Sequence, residues 1–314
     1  MQSVSALMVF RPVLINSGKK LKCVRINPPL RCQFSTSSSL SAVRLSYAKY
    51  KPQRAASADH PVFVLHGLFG SKQNWHSLAK SFSSKLNQTI ITVDARNHGE
   101  SGHDSDHSYE AMCEDVEELM QELQISKGIF IGHSMGGKIA MCFSLRKPDL
   151  VDSLIVVDSA PATSPGRSTF ERFFAAMKKI HSKPGENLPT LRKRALAELE
   201  PAIPDLITRQ FIVTNLADHN GKIGWRINLK ALSDNTENIM EFPVFHNFYG
   251  GPVLFIGGGN SNYITEVEMP EIKRLFPKAQ VETIPDAGHW VHSEKPHELT
   301  EVIVNFLKNK EDHH

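Results

Sequence analysis

Cysteine is scarce: four in 314 residues, of which Cys23 and Cys32 lie near the start and only Cys113 and Cys142 remain in the body. That spacing supports neither a disulfide framework nor a zinc site. Both body cysteines sit among apolar neighbours in helix-like stretches, which predicts buried thiols. Long hydrophobic runs are also missing near the N-terminus. Residues 4–10 and 13–15 are apolar but short, and Arg11 and Pro12 separate them, which excludes a transmembrane helix there. No internal repeat is present. Most telling is the absence of acid before Asp59: the first 58 residues carry ten Lys or Arg, ten Ser, and no Asp or Glu. The whole chain has 36 basic and 33 acidic residues, so the remainder holds 26 against 33, a net of −7. The pI near 8.6 therefore belongs largely to the tail, and it is no sign of a nucleic-acid-binding body. A basic, Ser-rich, acid-free segment is the composition of an organelle transit peptide. Residues 1–42 are assigned to it, with the mitochondrion as the expected address and the chloroplast as the alternative. A secretory signal fits less well, because no charge precedes the first apolar run.

What is present is a globular body, with 40% hydrophobic and 22% charged residues, enough to bury a core. Short apolar strands are expected at 47–50, 61–65, 89–93, 128–132, 154–157, 252–256 and 279–284. Helical spacing of apolar residues predicts helices at 75–86, 109–123, 135–145 and 297–308. Apolar strands alternating with helices imply a parallel sheet covered on both faces. The rhythm breaks after Pro161: residues 167–240 read as mostly helical, with breaks at several prolines and at Gly221. One α/β domain over 43–314, interrupted by a helical cap at about 162–250, accounts for the pattern.

The strongest chemical signal is Gly132-His-Ser134-Met-Gly136-Gly137, between an apolar strand and a helix. A serine in that context sits on a sharp turn that lifts its hydroxyl off the sheet and turns the next N–H, that of Met135, toward a substrate oxygen. The loop His66-Gly-Leu-Phe-Gly70 after an earlier strand supplies a second donor from Leu68 or Phe69, with Phe69 favoured by position. His66 is expected to brace that loop. Among fifteen histidines, His289 alone follows the last strand and a glycine and precedes the last helix, so it is the expected base for Ser134. His133 is expected to pack beside the nucleophile. His98, His103 and His107 are read as solvated loop residues without the acids a metal cluster needs. No cofactor is required, and Gly257-Gly-Gly259 lacks the sequence that follows a phosphate loop.

These pieces, together with Asp94-Ala-Arg-Asn-His-Gly99 and Lys138 after the serine motif, resemble the α/β-hydrolase superfamily. Within it they resemble most the subfamily called α/β-hydrolase domain-containing protein 11 and related small bacterial esterases, from about Leu45 to Leu307. The resemblance implies a mostly parallel eight-stranded sheet with a small helical cap, and esterase or lipase activity on acyl esters. It also implies a mitochondrial address in eukaryotic members and an association with the 2-oxoglutarate dehydrogenase complex. The chain departs from the family at the acid. Where most members place Asp after the strand at 253–256, this chain has Asn260 and Ser261. Asp158, at the end of the strand after the nucleophile helix, is the expected replacement. Ser261 is expected to add a hydrogen bond to His289, Asp94 is the rival acid, and Asp286 lies too near His289 in sequence. The expected function is hydrolysis of carboxylic esters through an acyl-enzyme on Ser134. The alternatives are a non-catalytic organellar partner protein that keeps the fold, and a C–C bond hydrolase or lyase using the same three residues.

Overall fold

The computed structural model describes residues 42–54, 60–219 and 221–309; all but the last residue of the tail assigned to targeting lies outside them. The described residues form one compact unit. Its main sheet contains β1 (Tyr47–Tyr50), β2 (Val62–Leu65), β3 (Ile90–Val93), β4 (Gly128–His133), β5 (Val151–Val157), β8 (Val253–Gly258) and β9 (Ala279–Ile284). The order is β1-β3-β2-β4-β5-β8-β9, with β1 antiparallel and every other pairing parallel. The central strands β2, β3, β4 and β8 are mostly apolar because they are buried on both faces, whereas the edge strands β1 and β9 are largely exposed or half-buried and carry polar residues. Val62, Val64, Ile129, Ile131, Ile155 and Val157 join one core, while Phe63, Leu65, Phe130, Leu154 and Val156 join the other. Helices α1 (His76–Leu86) and α11 (Pro296–Asn309) cover the first face; α2 (Tyr109–Glu122) and α3 (Met135–Arg146) cover the second.

The described residues supply seven strands to this sheet, one fewer than the resemblance implied. Just before β1, the Val43 N–H donates to Asp115 Oδ1 and the Ser46 N–H to Ser101 Oγ. Side chains of α2 and of the loop after β3 thus fasten the segment that leads into β1.

The cap contains α4 (Arg167–Met177), α5 (Leu188–Glu198), α6 (Leu206–Val213), α7 (Leu229–Asp234) and α8 (Thr236–Met240). It also contains an antiparallel hairpin, β6 (Leu216–His219) and β7 (Lys222–Trp225), where the sequence reading expected helix. Asn220-Gly221 is a hairpin signal. Gly221 has φ +84°, and its N–H is taken by Asp218 Oδ1 at 2.7 Å. A further helix missing from the sequence reading, α9 (Met269–Leu275), starts at a proline and buries Ile272 and Leu275 three residues apart. The short α10 (Val291–Glu294) precedes α11.

Cap and core are joined by named polar contacts. Tyr109 Oη donates to the Ile239 carbonyl at 2.8 Å and Lys138 Nζ to the Met240 carbonyl at 2.6 Å. Asn228 Nδ2 donates to Asn97 Oδ1 at 3.0 Å. No described helix is long and apolar enough to cross a membrane.

Candidate active site

The parallel register aligns the C-terminal ends of β2, β4, β5 and β8: Leu65 lies beside Gly132, His133 beside Val157, and Val157 beside Ile256. The loops leaving these ends, with the loop after β9, carry the residues singled out from sequence.

Ser134 occupies the turn between β4 and α3 with φ 53° and ψ −118°, a region that L-residues rarely adopt. Small neighbours make the turn possible. A Cβ on Gly132 would lie 2.2 Å from the Gly136 carbonyl oxygen, and one on Gly136 would lie 2.2 Å from the Leu65 carbonyl oxygen. The turn is tied down by the Ser134 N–H donating to the Val157 carbonyl at 3.1 Å.

Ser134, His289 and Asp158 form one hydrogen-bonded line. His289 Nε2 is 3.1 Å from Ser134 Oγ, and His289 Nδ1 is 2.6 Å from Asp158 Oδ2. The Asp158 carboxylate is fully buried and fully engaged: Oδ1 accepts the Gly258 N–H at 3.0 Å, and Oδ2 also accepts Ser261 Oγ–H at 2.6 Å. With both carboxylate oxygens occupied, Nδ1–H of His289 donates and Nε2 is free to accept from the serine. Tyr263, which sequence reasoning did not single out, stacks on the His289 ring with centroids 3.9 Å apart. No periodicity or motif marks it; it lies in an irregular loop after β8.

Two expectations need correction. Ser261 does not bond His289. Its N–H donates to the Gly258 carbonyl, and its hydroxyl turns to the carboxylate instead. The second concerns Phe69, which has φ 64° and gives its N–H to His98 Nε2 at 3.2 Å, so that donor is turned away from the pocket. Asp94, the rival acid, organises the loop under the pocket, where Oδ1 accepts the Lys72 N–H and Oδ2 accepts Lys72 Nζ, each at 2.6 Å, as well as the Glu100 N–H. No hydrogen bond among the described residues uses the Leu68 N–H, and the Met135 N–H opens α3 with no carbonyl four residues back in the helix. Asp286 is exposed and makes no bond to His289.

The neighbouring histidines are structural, and two are far from solvated. His66 Nε2 accepts the Ala95 N–H, while Nδ1 donates to the Gly67 carbonyl, which is the loop-bracing role expected of it. His98 and His107 are fully buried; only His103 is exposed. His98 donates through Nδ1 to the Arg96 carbonyl, leaving Nε2 to hold Phe69. Burial lowers the pKa of His66, takes those of His98 and His133 well below the ordinary value, and brings His107 and His292 down to about 3. His133 packs beside the base, and its Nε2–H donates to the His289 carbonyl at 2.9 Å. No metal-binding group of His, Cys, Asp and Glu occurs among the described residues. Cys113 and Cys142 are buried free thiols.

A pocket of about 140 Å³ opens over Ser134 and His289. Its walls are Leu68 and Phe69 from the core, and Phe170, Phe173, Phe211 and Ile212 from the cap.

The α/β-hydrolase fold family model matches residues 60–296. The chain belongs to the α/β-hydrolase family. It is 44% identical over 250 residues to the sn-1-specific diacylglycerol lipase ABHD11 of Danio rerio, covering 79% of this chain and 78% of the relative. It is 38% identical over 279 residues to a putative esterase/lipase of Haemophilus influenzae, covering 87% of this chain and 93% of that protein. Among solved structures, a marine microorganism esterase superposes with a TM-score of 0.77 at 35% identity, covering 84% of this chain and 100% of the esterase. The hydrolase is thus a serine enzyme acting on carboxylic esters, with a small-molecule ester as substrate.

Proposed function

We propose that Ser134 is the nucleophile, His289 the general acid and base, and Asp158 the acid that orients His289. The observation that carries this reading is the Asp158–His289–Ser134 line, at 2.6 and 3.1 Å, on the strained turn after β4. Ser134 Oγ attacks the ester carbonyl as its proton passes to His289 Nε2. The oxyanion forms against the Leu68 and Met135 N–H groups, which replace the Phe69–Met135 pair expected from sequence position. Collapse breaks the acyl–oxygen bond, and His289 returns the proton to the departing alcohol. Water then repeats the sequence on the acyl-enzyme and releases the acid.

The apolar walls of the inner pocket favour a hydrocarbon acyl chain. The activity named for the vertebrate relative supports an acylglycerol as the ester. The decisive experiment is labelling with a fluorophosphonate probe. Wild type is expected to label and Ser134→Ala to remain unlabelled. A folded wild-type enzyme that never labels would instead favour the non-catalytic reading. Turnover of acyl esters of graded chain length then fixes the preferred acyl group.

The tail composition supports import into mitochondria, and a fluorescent fusion of residues 1–42 is expected to concentrate there. Diffuse cytosolic signal overturns targeting, while plastid import changes only the organelle. An association with the 2-oxoglutarate dehydrogenase complex rests on the family resemblance alone. Co-purification from mitochondria tests it.

A further inference from the structure

A second cavity adjoins the inner pocket. It measures about 480 Å³ and lies between α1, α6 and the α10–α11 segment. Thr208, Phe211 and Trp290 line both cavities, so the two are separated only by that shared wall. Phe211 and Trp290 meet across it with ring centroids 4.6 Å apart. At 140 Å³ the inner pocket is too small for a whole lipid-like ester, whereas ligand sites are ordinarily about 300–1,000 Å³.

The two cavities differ in chemistry. The inner walls are mostly aromatic and aliphatic. The outer groove adds the hydroxyls of Ser77, Ser81 and Ser293, none of which hydrogen-bonds within the described residues. No Asp, Glu, Lys or Arg lines it. At its lip stands Ile207, an aliphatic side chain left 68% exposed. Its remaining titratable groups are two imidazoles, buried His292, whose pKa burial lowers to about 3, and His297 at the exposed margin. A groove with free hydroxyls, an apolar lip and no carboxylate, ammonium or guanidinium therefore suits a neutral, hydroxyl-bearing group better than a phosphate or an ammonium, each of which needs an opposite charge.

Reaction geometry decides which half of the ester enters it. The carbonyl oxygen must face the Leu68 and Met135 N–H groups, and the departing oxygen must lie within reach of His289 Nε2. Trp290 follows His289 directly and walls the groove. Trp290, which lines both cavities, is thus the point at which a chain on the alcohol oxygen can reach the groove.

Resting on the serine-esterase reading above, we infer that the outer groove is the alcohol-side subsite. It holds the uncharged, hydroxylated alcohol portion of the ester and selects against charged head groups. The test compares three substrates on the full enzyme: p-nitrophenyl acetate, a monoacylglycerol, and the same acyl chain on glycerol phosphate. Wild type is expected to prefer the monoacylglycerol over the phosphate ester by about tenfold or more. Ser77→Phe and Ser293→Phe, at exposed helix positions, fill the groove. In each, the ratio of kcat/KM for the monoacylglycerol to that for p-nitrophenyl acetate is expected to fall by about tenfold. Ser293→Lys is expected to move preference toward the phosphate ester. Phe variants that are folded by circular dichroism and keep the wild-type ratio overturn the subsite. A wild-type enzyme that leaves p-nitrophenyl acetate intact overturns the esterase reading instead, so the two failures are distinguishable.

Discussion

Asp158 and Asp94 are both fully buried carboxylates at the ends of parallel strands, and only their neighbours assign them different work. Asp158 faces an imidazole, a hydroxyl and one backbone N–H; Asp94 faces an ammonium and two backbone N–H groups. Asp158→Asn is therefore expected to lower kcat by about 10²–10⁴ with the fold retained, since an amide permits the wrong tautomer and cannot stabilise the imidazolium. Ser261→Ala removes one neutral donor to the same carboxylate and is expected to cost at most about tenfold. Asp94→Asn should act on stability instead. It weakens a buried pair with Lys72, which keeps Glu100 at 2.7 Å, so the loss is expected at or below about 3 kcal/mol. Turnover of one activated ester and urea unfolding of the three variants separate these outcomes. A folded but inactive Asp94→Asn beside a fully active Asp158→Asn would reverse the assignment of the acid.

At the scale of the element, the turn around Ser134 is the tightest constraint in the chain. Alanine at position 136 would drive its Cβ within 2.2 Å of the Leu65 carbonyl oxygen and 2.6 Å of the His66 carbonyl oxygen. Both are backbone atoms of β2 and the oxyanion loop, so neither can swing aside. Gly136→Ala is expected to destabilise by about 1–3 kcal/mol and to lose activity beyond that, because relief must move either the nucleophile or the Leu68 donor. Thermal melting and turnover measured together check this, and a variant with wild-type melting and rate would refute the steric argument. The same locality explains what could be read from sequence. Strands and helices around the sheet carry apolar periodicity, and Ser134 and His289 sit where a strand ends beside glycine, so their places followed from pattern. The hairpin at Leu216–Trp225 was hidden because its strands are four residues each and mostly half-exposed, leaving only Asn220-Gly221 as a mark. The Phe69 N–H was misassigned for a different reason. Its direction is set by His98, twenty-nine residues away, and no local rule reports a bond of that span.

Across the whole molecule, a set of imidazoles is held neutral at some cost in acid. His66, His98, His107, His133 and His292 are all buried, and desolvation is the leading cause that lowers each pKa. The unfolded chain binds a proton at each near pH 6.5, whereas His107 and His292 in the fold resist protonation down to about 3. Stability is therefore full above about pH 6.5 with respect to these groups, and it falls as pH drops from 6.5 toward 3, because the unfolded state binds more protons. Lys138 adds a slope of the same sign in another window. Burial lowers its pKa to about 7, so unfolding takes up a proton between about pH 7 and its ordinary 10.5, and stability rises with pH across that range. Below pH 6.5, each histidine so held contributes up to about 1.4 kcal/mol per pH unit. Urea unfolding of the wild type between pH 7 and 5 is expected to show uptake of several protons near pH 5.5. His107→Gln offers a neutral replacement for a ring whose Nδ1 meets only Asn97 and whose Nε2 has no partner among the described residues. It is expected to reduce that uptake by about one proton. An uptake below one proton in the wild type, or no change in His107→Gln, would mean that these imidazoles are protonated in the fold and that burial does not govern the acid limit of this enzyme.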